Sequence, residues 1–211
     1  MKFGKIISVD NDPAMVSVAK QLYETIDNNH KANTEWFDCG AESLALGPNF
    51  LDLCTMFQGP NFLSDPEKVL NNVLFSLKPG GRLVGSAWGR IEENKGHYAI
   101  ATALERLGFQ PALKPFSFGN VDKLKDLFTR SGFVVEKILT EHKIIPFSSV
   151  KGFVSGVAAG APATRHAISQ LDTNTYENFF EMVEELLSDY SSTNGVALPT
   201  QANIVLALPA A

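Results

Sequence analysis

Short apolar runs alternate with stretches of helical spacing through roughly the first 90 residues, and this alternation restricts the possible folds more than any other feature. Lys5 to Val9 is apolar, contains the β-branched pair Ile6-Ile7, and runs into Asp10-Asn11-Asp12-Pro13, a turn and helix-start signal. The spacing of Met15, Val18, Ala19 and Leu22 predicts an amphipathic helix over about Pro13 to Ile26, with the proline where a first helical turn tolerates one. A further strand is expected to end at Trp36-Phe37. Leu51 to Phe57 reads as a buried strand leading into a Gly59-Pro60 loop, and Asp65-Pro66 opens a helix through Val69, Val73 and Leu77. Lys78-Pro79-Gly80-Gly81 should stop that helix before a strand over Arg82 to Ala87. Strands and helices at this pitch imply right-handed crossovers, a doubly wound α/β fold, a mostly parallel sheet, and ligands at the carboxyl ends of the strands.

Beyond Trp88 the pattern changes. Two helices, about Tyr98 to Leu107 and Val121 to Ser131, flank a segment rich in Pro and Phe. Strands are expected from Phe133 and over Lys143 to Phe147, then an acidic helix near Tyr176 to Tyr190 and a closing strand, Ile204 to Leu208. Gly156 to Thr164, with two glycines and a proline, reads as a loop or pocket rim. Such a tail supplies an antiparallel edge strand and helical lid insertions. A single domain over 1–211 is expected, with 1–90 a cofactor-binding half and 91–211 a substrate-pocket and lid half.

Composition narrows the classes of function. A net charge of −5 and a pI near 5.4 argue against a nucleic-acid partner, which needs clustered Lys and Arg. Cys39 and Cys54 have neither disulfide nor metal-ligand spacing and read as reduced and buried; no metal site is signalled. No apolar run approaches the ~20 residues that span a bilayer, and Met1 to Ile7 is too short for a signal peptide, so a cytoplasmic protein is expected. Fifteen phenylalanines suggest a large core, with some left to line a greasy pocket.

Several strings resemble class I S-adenosylmethionine-dependent methyltransferases, in particular the ubiquinone-biosynthesis-like subgroup. Ile7-Ser8-Val9-Asp10-Asn11-Asp12-Pro13-Ala14-Met15 is similar to the family's second strand, whose terminal acid binds the cofactor ribose; Asp10 is that residue here. One carboxylate with two acceptor oxygens suits two vicinal hydroxyls, although an Asp before Asn-Asp-Pro also reads as a helix cap. Gly40-Ala41-Glu42-Ser43-Leu44 resembles the family's Asp-Ala-Glu-x-Leu adenine segment, with Gly40 in place of its Asp. Leu51 to Gln58 resembles the fourth strand and acceptor-side loop. Leu77-Lys78-Pro79-Gly80-Gly81-Arg82-Leu83 is similar to the family's helix-to-strand turn, the most specific string in the chain. Ala87-Trp88-Gly89, Phe118-Gly119-Asn120 and Ser131-Gly132-Phe133 continue the pattern, so the resemblance covers nearly the whole chain.

The resemblance implies S-adenosylmethionine as cofactor, contacted by Asp10, Asn11, Met15, Gly40, Ala41, Glu42, Met56 and Phe57. It also implies methyl transfer to a small, fairly apolar acceptor in a pocket of Phe62, Trp88, Phe116, Phe118 and Phe153. The family's first strand and Gly-x-Gly-x-Gly loop have no counterpart before Lys5. That strand lies mid-sheet, so two edges are expected to face an open slot. An upstream segment, a strand from a second copy or partner chain, or direct closure of the two edges would fill it. The loop holds the methionine end of the cofactor; losing two or three charge-assisted hydrogen bonds of ~1.5–3 kcal/mol each lowers affinity roughly a thousandfold or more.

Methyl transfer needs few dedicated side chains, because positioning and water exclusion supply most of the catalysis. Gln58 and Asn61, after the fourth strand, and His97, a candidate base, are the acceptor-side candidates. Each has a plainer use: the amides as partners of loop backbone, His97 as a surface or helix-start residue. Two other functions fit the resemblance: a relative that catalyses a cyclisation or rearrangement instead, or a non-catalytic partner of an active methyltransferase.

Overall fold

The computed structural model describes residues 4–210, so the start of the Met1 to Ile7 segment weighed as a leader lies outside the described residues. Strand β1 (Lys5–Asp10) leads to helix α1 (Pro13–Glu24), capped by Asp12, whose carboxylate accepts from the Ala14 N–H at 2.8 Å. Strand β2 (Asn33–Asp38) returns parallel to β1, with Ile7 opposite Glu35 and Asp10 opposite Asp38. Strand β3 (Leu51–Phe57), helix α2 (Pro66–Ser76) and strand β4 (Leu77–Trp88) form a second parallel crossover. Asp65 caps α2 through the Lys68 N–H at 3.0 Å. Pro79 falls inside β4 rather than ahead of it, and Gly80 takes the left-handed φ of 78° that turns the chain there.

Helices α3 (Lys95–Arg106) and α4 (Val121–Arg130) follow, then strand β5 (Phe133–Phe147), which joins the two expected runs into one 15-residue strand. The expected loop at Gly156 to Thr164 is instead mostly helical. Helix α5 (Val150–Gly160) ends there and α6 (Pro162–Ser169) begins, because a small, alanine-rich stretch favours helix and Pro162 sits in a first turn. Helix α7 (Thr173–Leu186), the short strand β6 (Ser191–Ser192) and the long β7 (Gly195–Pro209) complete the described chain. Among the described residues no helix is long and apolar enough to cross a membrane.

The strands make two sheets, one of β1 and β2 and one ordered β3-β4-β7-β5, with β6 on β7. β7 runs antiparallel to β4, β5 and β6. β1 and β3 do not pair, so the direct closure considered above does not occur. Two contacts join the parts of the chain that carry them: Lys5 Nζ stands 5.9 Å from the Phe50 ring, and the Glu42 carboxylate accepts the Ser64 N–H at 2.9 Å. β1 and β3 therefore each keep an unpaired edge, and β3, expected to be buried, has Leu53 half exposed and Phe57 66% exposed.

The core lies in the second sheet and its helices. One cluster packs α3, α5 and α7 on the start of β7 through Leu104, Phe153, Phe179, Val183 and Leu198. Another packs α2 and α4 on β4, β5 and β7 through Leu70, Leu83, Leu124, Phe128, Phe133 and Val205. Most of the buried phenylalanines thus serve as core. Cys39 and Cys54 are free and only partly buried, short of the full burial expected: Cys39 lies just past the end of β2, and Cys54 of β3 packs at the margin of the second core cluster, where burial still pushes its thiol up to about 11.

Candidate active site

At the carboxyl ends of β3 and β4 the chain gathers aromatic rings around one histidine. Trp88 ends β4, and α3 brings in His97 with ring centroids 5.3 Å apart. Phe116 lies 6.0 Å from Trp88 and 5.4 Å from His97, and Phe153 of α5 meets His97 edge-on at 5.6 Å. Phe153 lies flat on α3 because position 96 is glycine; a Cβ there would overlap the ring. Beside this cage is a cavity of about 20 Å³, room for one water, lined by Ile91, His97, Ile100, Ala101, Leu104, Ala112, Phe116, Val157 and Thr164. Burial lowers His97 to about 4, so the imidazole is neutral near pH 7 and the wall carries no formal charge.

Two amides adjoin the cage. Gln58 follows β3 with a left-handed φ of 56°, and its N–H donates to Ser86 Oγ at 3.1 Å. Strain of this kind gathers at functional sites. Asn61 is 1% exposed and its Nδ2 donates to the Pro115 carbonyl, beside Phe116. Neither Gln58 Oε1 nor Asn61 Oδ1, both buried, has a hydrogen-bond partner. An unmet buried acceptor costs about 1–3 kcal/mol, so both are open to a donor.

The residues assigned to the cofactor lie along the other sheet. Asp10 is exposed at the end of β1, and its Oδ1 accepts the Asp12 N–H at 2.8 Å. The helix cap is Asp12, which leaves Asp10 to shape the turn and keep a second oxygen for a ligand. Asn11 and Met15 are exposed beside it. Gly40 and Ala41 form a turn in which the Gly40 carbonyl accepts the Ser43 N–H at 3.0 Å. Glu42 is engaged as a clasp: hydrogen bonds from its own N–H and from that of Ser64 hold its carboxyl below the usual range. Met56 packs against the second core cluster, while Phe57 and Phe62 are exposed. Phe118 packs on that cluster and makes no ring contact with the cage among the described residues.

Sequence reasoning missed the polar scaffold behind the cage, Asn94, Gln201 and Asn203. No local signal marks it, since apart from the Asn94 bond to Arg90 its side chains meet partners 59 to 111 residues away in sequence.

Comparison with known proteins agrees with this architecture. Residues 1–85 match the methyltransferase domain family. Over 81 residues the chain is 33% identical to the ubiquinone/menaquinone biosynthesis C-methyltransferase UbiE of Francisella tularensis subsp. novicida, covering 38% of this chain and 32% of that protein. The chain thus spans about a third of the length of the curated relatives it matches. In fold it resembles a protein of Bacillus halodurans assigned to the methyltransferases, with a TM-score of 0.60 at 14% identity, covering 96% of this chain and 82% of that one. It also resembles the cyclase SpnF, with a TM-score of 0.51 at 16% identity, covering 97% and 66%. The fold of the chain is that shared by these solved structures. Its first 85 residues match the methyltransferase domain model, and an 81-residue stretch of the chain is similar to UbiE.

Proposed function

We propose that the chain serves methyl transfer from S-adenosylmethionine to a small, fairly apolar acceptor held against the aromatic cage. The observation that carries this reading is the juxtaposition, at the strand ends, of an uncharged ring-lined wall, a neutral buried His97 and two unpartnered amide oxygens. The residues present fit the nucleoside end of the cofactor. Asp10 keeps one carboxylate oxygen for ribose hydroxyls, and Met15 and Phe57 offer exposed apolar surface. They do not fit its methionine end, for which residues 4–210 supply no glycine-rich backbone cradle. Filling the slot between β1 and β3 with a further strand, from a partner chain, a second copy or polypeptide outside these residues, would supply what that end needs.

When bound, the cofactor supplies an electrophilic methyl group. The chain's own part is to exclude water with Trp88, Phe116 and Phe153 and to orient a donor on the acceptor through Gln58 Oε1 and Asn61 Oδ1. His97 is placed to take the acceptor's proton on a ring nitrogen. With a folded value near 4 it is a weak base, suited to an acceptor that loses its proton late. The 20 Å³ cavity requires α5 and α6 to give way as the acceptor enters.

Calorimetric titration of S-adenosylmethionine tests the reading. Two proteins would be compared: the 211-residue chain, and the same chain extended at its N-terminus with the strand–loop–helix unit of the Francisella relative. Binding that appears, or tightens at least ~1,000-fold, in the extended protein supports it. No binding by either removes it. One observation favours a second reading, cyclisation or rearrangement of an apolar substrate without cofactor: Trp88, Phe116 and Phe153 surround a neutral His97, a wall suited to shaping an apolar substrate. Turnover of such a substrate by the 211-residue chain alone would select that reading.

A further inference from the structure

β7 carries two buried amides on one face, Gln201 at 9% exposure and Asn203 at 0%, and they hold the walls of the cage. The Gln201 backbone carbonyl accepts the Gly89 N–H at 2.8 Å, and its side-chain Oε1 accepts the Arg90 N–H at 3.2 Å. The Gln201 N–H donates to Asn94 Oδ1 at 3.0 Å, and Asn94 Nδ2 donates to the Arg90 carbonyl at 2.9 Å. The turn from Gly89 to Asn94 is thereby tied to the strand at both ends. Asn203 Nδ2 donates to the Gly119 carbonyl at 3.1 Å, while its Oδ1 accepts from Thr140 Oγ1 at 2.9 Å. The layers are stacked without slack. A Cβ on Gly89 would overlap the Gln201 amide, and one on Gly119 would overlap the Gly89 carbonyl.

These tied segments carry the cage. Trp88 immediately precedes Gly89, His97 lies three residues after Asn94, and Phe116 lies three residues before Gly119. We infer that Gln201 and Asn203 are positioning residues that set the separation of Trp88, His97 and Phe116, and so decide how wide an acceptor the pocket admits. This rests on the proposed reading of the cage as the acceptor site, but the geometry it invokes belongs to the ligand-free chain. It therefore stands or falls separately from cofactor binding.

The test uses the full chain carrying Trp36→Phe, so that Trp88 is the one remaining tryptophan. Three quantities are read: Trp88 emission, hydrogen exchange at the Arg90 amide, and the His97 titration midpoint by NMR. Gln201→Met removes the acceptor for the Arg90 N–H at nearly constant volume. It is expected to red-shift Trp88, speed Arg90 exchange at least ~5-fold and raise the His97 midpoint toward its ordinary value as water enters. Gln201→Glu retains an oxygen acceptor and is expected to restore Trp88 emission and Arg90 exchange. Gly89→Ala, which displaces the Gln201 amide from the other side, should reproduce the Gln201→Met signature and serves if that variant does not fold. Thr129→Val, whose hydroxyl bonds to the Lys125 carbonyl within α4, should leave Trp88 and His97 as they are. The inference is overturned if Gln201→Met or Gly89→Ala lowers stability while Trp88 emission and the His97 midpoint stay unchanged.

Discussion

The strand–helix–strand unit at the start of the chain and the sheet that follows obey the same patterning rules but end in different states. Between residues 4 and 59, Val16 is the single described side chain that becomes buried; α1 presents Met15, Val18 and Leu22 to solvent, and Ile26 just beyond it is exposed too. From residue 66 onward the same kinds of pattern produce two contiguous apolar clusters. Local periodicity is thus enough to specify elements and their pairing, since β1 and β2 register along their whole length. Burial needs layers that close over one another: the β3–β4–β7–β5 sheet has them in both core clusters, whereas the β1–β2 pair has α1, which buries Val16 and sets Tyr23 edge-on to Trp36.

The contrast can be broken most readily by mutation in the closed core. Phe128→Ala, at a 0% exposed site, is expected to destabilise by about 3–5 kcal/mol in urea melts; a cost near zero would mean that the second sheet is no better packed than the first. Acidification should remove roughly 3 kcal/mol through His97. The unfolded chain takes up that proton near pH 6.5 and the folded chain near 4, so the contribution is present above pH 6.5 and disappears as the pH falls through 4. Melts of wild type and His97→Phe across this window check the sign, and parallel pH profiles would count against a buried His97. Gly96→Ala forces a methyl into the Phe153 ring and should destabilise by about 1–3 kcal/mol, with Phe153→Leu relieving part of the loss. Leu22→Glu, at a 62% exposed site in α1, should change stability by no more than about 0.5 kcal/mol; a large loss would show that α1 is covered in solution.

Elements with a local cause were legible in the sequence. Asp12-Pro13 and Asp65-Pro66 start helices as their caps require, and β1 and β3 fall in separate sheets, as the expected slot between them implies. Features set by distant contacts were not legible. β5 and β7 each run 15 residues because they pair with one another, which neither sequence announces alone. His97, Trp88, Phe116 and Phe153 could be named from composition and resemblance, and the structure brings them together. The buried amides that hold them were invisible, because an Asn or a Gln carries no periodic signature and acquires its role from tertiary partners. Asp10 was readable as a strand-end acid, but its exposure depends on what stands beside β1.

Residue-resolved hydrogen exchange on the 211-residue chain tests the central claim most directly. If the single helix α1, with Val16 its one buried side chain, is all that covers the β1–β2 unit, its amides open locally and exchange at least ~100-fold faster than those of β4 and β7, which report global unfolding. Equal protection in the two sheets would mean that more than α1 covers the β1–β2 pair, and would contradict the account.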